Sequence, residues 1–191
     1  MLEAISKYQF LQNAIIAGIL ASIVCGIIGV IIVEKRLIMM SGGIAHTAYG
    51  GVGLGYLCGF TPIIGAMIFS VLAALGIGYV KKKNKSNSDI VIALFWSLGM
   101  ALGVAFIGFM PGYPPDMNSY LFGNILSVTK ADINAMLIMA SVVILAILVF
   151  YNDWKAYLFD EEFSEIIGMK TNIMQYALLI LIALTVVTLI R

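Results

Sequence analysis

Charged side chains are scarce in this sequence. Asp, Glu, Lys and Arg make up 11% of the 191 residues, whereas about 25% is usual in soluble domains. Hydrophobic residues make up 62%, and the mean hydropathy is +1.05. A soluble globule of this size needs a polar shell that this composition does not supply. The composition therefore excludes a soluble globular domain, and a formal net charge of +1 gives no reason to expect a nucleic-acid partner.

Histidine and cysteine, two common ligands of transition metals, are nearly absent. The chain has one histidine and two cysteines, Cys25 and Cys58. The spans predicted below place the two cysteines at different membrane depths, roughly 20 Å apart. A disulfide needs Cα atoms within about 7 Å of each other. We therefore predict two free thiols and no metal site built from this pair.

Motifs of catalysis and nucleotide binding are missing. The sequence has no HExxH segment and no nucleophile elbow, and its Gly168-Met169-Lys170-Thr171 stretch lacks the phosphate-binding pattern G-x4-GK[ST]. We expect a chain that is not an enzyme and that binds no cofactor of its own. Any energy from ATP would have to enter through a partner.

Long apolar stretches dominate what is present. Each is close to the ~20 residues that cross a hydrocarbon core as a helix, and helices satisfy every backbone polar group within lipid. The sequence predicts an all-α, polytopic membrane protein in which one domain, residues 1–191, holds about six transmembrane helices. The predicted spans are Phe10–Val33, Leu37–Phe60, Thr61–Val80, Ile90–Phe109, Ile133–Tyr151 and Asn172–Ile190.

The basic residues predict an orientation, because positively charged loops stay in the cytoplasm. One set of connections holds eight of them, Lys35, Arg36, Lys81, Lys82, Lys83, Lys85, Lys155 and Lys170. The opposite set holds three, Lys7, Lys130 and Arg191. The first set is predicted to be cytoplasmic, which puts the N-terminus outside a cell membrane that the chain crosses several times.

Two connections carry patterned sequences. Outside, Ser119–Val128 mixes apolar and polar residues and predicts a short interfacial or re-entrant helix. Inside, the acids at Asp160 and Glu161 suit a helix N-terminus, and Gly168 suits its C-terminal end. The apolar residues between them follow helical spacing: Phe163, Ile166 and Ile167. This short amphipathic helix is either a docking surface for a partner or a segment lying on lipid headgroups.

His46 is the one ionisable side chain inside a predicted span. It lies about 14 Å from the start of its span, near the bilayer midplane, where transporter sites commonly lie. Gly43, Thr47 and Gly50 share its helix face. Buried polar groups in lipid are costly and usually functional, so this face is a candidate translocation path, with His46 as a transient metal ligand. The alternative is a packing histidine bonded to a neighbouring helix.

Three segments together resemble the ABC-3 family of permeases, the membrane subunits of bacterial zinc, manganese and iron importers. Met40–Val52 resembles the family's G-D-x-(L/I)-(A/S)-H-(A/S)-x-x-x-G-(V/I) segment. Ser119–Leu126 resembles its Y-L-F-G-D-(I/L)-L segment, and Asp160–Gly168 its D-x-x-x-A-x-x-x-G coupling helix. The resemblance covers nearly the whole chain. Family members continue through further spans, so the resemblance predicts a chain truncated at its C-terminus.

Three positions depart from the family pattern. Gly42 and Asn124 stand where the family has Asp, and Ser164 stands where it has Ala. Hard cations favour anionic oxygen ligands, so the missing carboxylates leave the identity of the ion open.

The resemblance implies an import complex. Two permease copies pair, a cytoplasmic ABC ATPase binds the coupling helices, an extracellular metal-binding lipoprotein delivers the ion, and ATP drives alternating access. The residues implied for ATPase coupling are Asp160, Glu161, Phe163, Glu165, Ile166 and Gly168. Those implied for the external gate or for contact with the binding protein are Asp116, Tyr120 and Asn124.

Two other functions stay open at the level of sequence. A secondary carrier or channel would work alone, although the spans hold none of the acids that proton coupling uses. A truncated, non-transporting paralogue would have the same sequence features without a complete pore.

Overall fold

The structure is a computed structural model that describes residues 7–84, 88–112, 120 and 123–190. Within these ranges the chain forms α-helices, one short 3-10 helix and no strand. The prediction of an all-α protein is confirmed. The helices are α1 Gln9–Glu34, α2 Ile38–Cys58, α3 Pro62–Asn84, α4 Ser88–Gly108, α5 Lys130–Val149, α6 Tyr151–Phe159, α7 Glu161–Ile166 and α8 Thr171–Leu189, with the 3-10 helix Ile125–Ser127 before α5.

Among the described residues, five helices are long and apolar enough to cross a membrane: α1, α3, α4, α5 and α8. The sixth predicted span is α2, whose 21 residues extend about 32 Å, enough to cross a 30 Å hydrocarbon core. It is less apolar because it holds six glycines, two tyrosines and His46. Every predicted boundary agrees with the structure to within four residues, and the largest difference is at the end of α3.

α2 lies at the centre of the bundle, and the packing explains its low apolarity. It packs most extensively against α3 and α4, while α8 packs on α3 and α1 packs on α5. Residues that face other helices do not need to be soluble in lipid. The outer helices instead expose large apolar side chains, such as Val30 (69% exposed), Leu94 (63%) and Ile138 (66%), as expected of surfaces solvated by acyl chains.

Glycines set how closely the central helices approach. A Cβ on Gly51 of α2 would overlap the backbone carbonyl of Gly65 of α3, and a Cβ on Gly65 would overlap that of Gly51. On another face of α2, a Cβ on Gly50 would lie 2.7 Å from the carbonyl oxygen of Gly99 of α4. Close contact through small residues is typical of helices that associate in lipid.

The core is mainly apolar. A main cluster joins seven of the helices and contains Val24, Ile28, Met40, Ile44, Ile77, Val143, Leu178 and Ile182. Among the few buried hydroxyls, that of Ser70 donates to the carbonyl oxygen of Ala66 at 2.7 Å. Such a bond to the preceding turn lets a helix bury a hydroxyl without a partner on another helix.

The two ends of the bundle differ. We call the end that carries Lys35, Lys82 and Glu161 the lysine end, where Lys82 bonds Asn172 and Lys35 contacts Glu161. At the opposite end, Thr129 and Asp132 form a capping box that starts α5. The described part of the predicted external helix is a single 3-10 turn, Ile125–Ser127, which packs on α1. Positions 119 and 121–122 of that segment, and residues 113–118 before it, lie outside the described residues.

One helix was not predicted. α6, Tyr151–Phe159, occupies a stretch that the sequence analysis treated as connection. Its buried residues, Trp154 and Tyr157, are three positions apart, and the Trp154 indole donates to the carbonyl oxygen of Ala146 at 3.0 Å. Two large buried anchors stabilise a helix too short to be stable alone. The predicted free thiols are confirmed: Cys25 and Cys58 are both free and exposed.

Candidate functional site

His46 lies in the middle of α2, about 12 Å from the helix start. Its ring stacks on the Trp96 ring of α4, with centroids 4.2 Å apart and planes 10° from parallel. Its Nδ1 atom is buried and has no hydrogen-bond partner among the described residues. A buried polar atom without a partner is rare in proteins. The imidazole therefore has one ring nitrogen whose hydrogen-bonding capacity is unused.

The three other residues of the predicted path lie in the contact between α2 and α4. The buried Thr47 hydroxyl is engaged with two carbonyl oxygens, those of Gly43 at 2.7 Å and Phe95 at 3.1 Å. Gly43 is buried against Ile92 of α4. Gly50 is buried against Gly99 of α4 and Phe69 of α3. The structure thus places His46 at the edge of this contact and the other three inside it.

No resident metal centre is evident in the described part of the chain. It contains no group of three or more His, Cys, Asp or Glu side chains that could hold an ion. His46 would supply one ligand, which suits brief contact with a passing ion better than stable binding. Sequence reasoning missed Trp96, because the stacking joins two spans and no periodicity within one span reveals it.

Tyr120, one of the residues predicted for the external gate, contacts α2. Its hydroxyl oxygen lies 3.1 Å from that of Tyr56, and the two rings meet edge to face. Tyr120 and Tyr49 also line a small cavity of about 20 Å³, large enough for about one water molecule. Asn124 is exposed and accepts a hydrogen bond from the Leu126 backbone at 3.1 Å. Asp116 lies outside the described residues.

At the lysine end, α7 is held by its own polar residues. The Asp160 carboxylate accepts a hydrogen bond from the backbone N–H of Phe163 at 2.9 Å, which makes Asp160 the N-cap. The buried Ser164 hydroxyl donates to the carbonyl oxygen of Asp160 at 2.7 Å. Gly168 follows with φ of +85°, a left-handed conformation that favours glycine. The predicted helix limits are therefore correct, and Asp160 and Gly168 have structural roles.

Lys35, between α1 and α2, joins α7 to the transmembrane helices. Its Nζ donates to the carbonyl oxygen of Tyr157 at 2.8 Å and to Oε2 of Glu161 at 3.1 Å, and lies 3.8 Å from the centre of the Tyr157 ring. Burial, together with the Glu161 carboxylate, raises the pKa of the Tyr157 hydroxyl well above its ordinary value. Sequence reasoning had counted Lys35 only as an orientation signal.

Lys35→Met should destabilise the protein by about 1.5 kcal/mol, because a charged donor to the Tyr157 carbonyl and a cation–π contact are lost. Glu161→Gln should cost less than about 0.5 kcal/mol, since the Glu161 side chain is 48% exposed and solvent screens the pair. Thermal unfolding in detergent, followed by tryptophan fluorescence, measures both. Equal losses would mean that Lys35 stabilises the fold through its ion pair with Glu161 of α7 and not through its bond to the Tyr157 carbonyl of α6.

The outer side of α7 is apolar and uncovered. Phe163 and Ile167 are each 55% exposed and Ile166 is 82% exposed. We call these three residues the docking face. Glu161, Glu162 and Glu165 of the same helix are exposed around it. A capped helix that presents apolar side chains and acids at the end of a bundle has the composition of a protein-binding surface.

Comparisons with known proteins agree with these features. An uncharacterised membrane protein of Synechocystis is 41% identical over 98% of this chain and 66% of its own length. A manganese transport system membrane protein, MntC, of Listeria monocytogenes is 34% identical over 98% of this chain and 66% of its own length. The solved structure of PsaBC from Streptococcus pneumoniae in complex with Fab matches 100% of this chain and 68% of that one, with 33% identity and a TM-score of 0.85.

The chain spans about two thirds of the length of these relatives. A family model, that of the ABC 3 transport family, matches residues 7–191, which is almost the whole sequence. Both the central glycine-rich α2 and the short α7 lie inside the matched region. On this evidence the chain is a multi-pass helical membrane protein that belongs to the ABC 3 transport family.

Proposed function

We propose that this chain is the membrane-spanning permease subunit of an ATP-binding-cassette importer for divalent metal ions. The observation that carries the proposal is the docking face on α7, a helix capped by Asp160 and Ser164 and contacted by Lys35 through Glu161. The chain has no nucleotide-binding motif, so such a subunit needs a surface through which a separate ATPase moves it. An apolar patch of three side chains at one end of the bundle suits that task.

The orientation follows from the same proposal. The docking face would lie in the cytoplasm, together with most of the basic residues, and the N-terminus would lie outside. The remaining partners would be a second permease copy and an extracellular metal-binding lipoprotein. The chain itself would bind no cofactor, and the ion would be its cargo.

The class of cargo rests on two supports. One is the kinship with MntC of Listeria, which is named as part of a manganese transport system. The other is the unpartnered Nδ1 of His46 near the middle of α2, because a neutral imidazole binds manganese, iron and zinc alike. Gly42 and Asn124 add no carboxylate, so the choice among the three ions stays open.

Ile166→Asp should weaken binding of the partner ATPase at least about tenfold, or about 1.4 kcal/mol, because an exposed apolar anchor becomes a charge. Uptake driven by ATP should fall in parallel. The matched control is Ile38→Asp, the same change at a residue that is 59% exposed at the same end of the bundle but outside α7. It should leave ATPase binding unchanged.

Co-purification with the ATPase and uptake into proteoliposomes are the measurements. If Ile166→Asp keeps the ATPase bound and uptake intact, α7 merely lies on headgroups and the proposal is wrong. Uptake by the chain without any ATPase would instead identify a carrier or channel that works alone.

A further inference from the structure

A groove opens on the side of the bundle at its lysine end, and none of the three docking-face residues lines it. It lies between the last turns of α1 and the corner where α5 meets α6. Its volume is about 490 Å³, and its lining includes Ile27, Val30 and Glu34 of α1 and Ile147, Tyr151 and Lys155 of α5 and α6. This is the size of ordinary ligand sites, which range over about 300–1,000 Å³. We call it the interfacial groove.

The polarity of the interfacial groove changes along its length. Its inner part is lined by aliphatic side chains, among them Ile27, Val30 and Ile147. Its charged residues lie at the lysine end, where Glu34 ends α1 and Lys155 lies on α6. Tyr151, at the start of α6, also lines the groove, and tyrosine is enriched at membrane surfaces. A ligand for this groove has an apolar body and one polar end.

The charges define that polar end. Glu34 and Lys155 are both exposed, and neither forms an ion pair within the ranges that the structure describes. A carboxylate and an ammonium that share one groove but do not pair leave one negative and one positive partner position open. The complementary headgroup carries a positive and a negative group together.

We propose that the interfacial groove binds one zwitterionic aminophospholipid, of the phosphatidylethanolamine class. Its phosphate pairs with Lys155, its primary ammonium donates hydrogen bonds to Glu34, and an acyl chain lies along Ile27 and Val30. A quaternary ammonium headgroup has no N–H to give to Glu34, and an anionic headgroup gives Glu34 no partner. The bound lipid joins α1 to α6, and this inference holds whether or not an ATPase binds the docking face.

Native mass spectrometry of the full chain tests the proposal. The chain is purified in detergent with equal mole fractions of phosphatidylethanolamine, phosphatidylcholine and phosphatidylglycerol. We expect one retained phosphatidylethanolamine per chain, at least about fivefold more often than either other lipid, equivalent to about 1 kcal/mol. Added phosphatidylethanolamine should also raise the unfolding temperature more than the other two do.

Variants separate the two charges. Glu34→Gln should abolish the preference for phosphatidylethanolamine over phosphatidylcholine, and Lys155→Gln should lower retention of all three lipids. Val30→Trp, which fills the groove without touching either charge, should remove the bound lipid altogether. The control is Lys130→Gln, an exposed lysine at the opposite end of the bundle, which should leave retention unchanged.

Two results would overturn the proposal. One is equal retention of phosphatidylethanolamine in the Glu34→Gln/Lys155→Gln double variant and in the unmodified chain. The other is a dimer that the same double variant dissociates, because Glu34 and Lys155 of two copies would then pair with each other and the groove would be a contact between chains.

Discussion

Gly51→Ala is expected to destabilise the helix bundle by about 2 kcal/mol, although alanine is the better helix former. The added methyl group would overlap the backbone carbonyl of Gly65, and a backbone cannot rotate away as a flexible side chain can. Overpacking of this kind costs about 1–3 kcal/mol, and the gain in helix propensity offsets less than about 1 kcal/mol of it. The two helices at the centre of the fold must then move apart.

The control is Gly26→Ala on α1, where an added Cβ would meet no atom within 4 Å. That change should be neutral or stabilise the protein by about 0.5 kcal/mol. Both variants are compared by thermal unfolding in the same detergent. If Gly51→Ala behaved like Gly26→Ala, the close approach of α2 and α3 would not be a feature of the folded protein.

Gly65→Ala supplies a second check, because it addresses the same contact from the other helix. Its cost should be similar to that of Gly51→Ala, and the double variant should cost less than the sum, since the first methyl group already separates the helices. Additive costs would place the two glycines in different contacts.

The sequence predicts the spans well because lipid imposes a simple rule. Every backbone polar group must bond within its own helix, so a stretch of about 20 apolar residues has one stable conformation. The limits of α7 are predictable for a related reason. Asp160 and Gly168 are cap residues, and their effects act within a few positions of the chain.

Contacts between helices are less predictable. The spacing of the α2 glycines indicates close packing but not the neighbour, and the structure assigns Gly51 to α3 and Gly50 to α4. Helical periodicity defines a face, whereas the partner of that face depends on how the whole chain is arranged. Lys35 and Tyr157 are 122 positions apart in the sequence, so no local pattern predicts their contact. The stacking of His46 on Trp96 could not be predicted for the same reason, because it joins two different helices.

His46→Phe should lower uptake of divalent metal at least about tenfold, equivalent to about 1.4 kcal/mol of barrier, while leaving the fold intact. Phenylalanine keeps a planar ring to stack on Trp96 and removes both nitrogens, including the Nδ1 that has no partner in the described structure. Because that atom makes no hydrogen bond to lose, stability should change by less than about 0.5 kcal/mol.

Thr47→Val is the matched comparison, since it lies next to His46 and its hydroxyl is already engaged with the carbonyls of Gly43 and Phe95. Its main effect should be a loss of stability of about 1 kcal/mol, with uptake per folded molecule changed less than in His46→Phe. Uptake is measured in proteoliposomes with the partner ATPase, and unfolding in detergent. The two variants thus divide the α2 face into a part that contacts the ion and a part that holds α4. Full uptake by His46→Phe would assign the histidine to packing alone, because its ring would then be the only feature that matters.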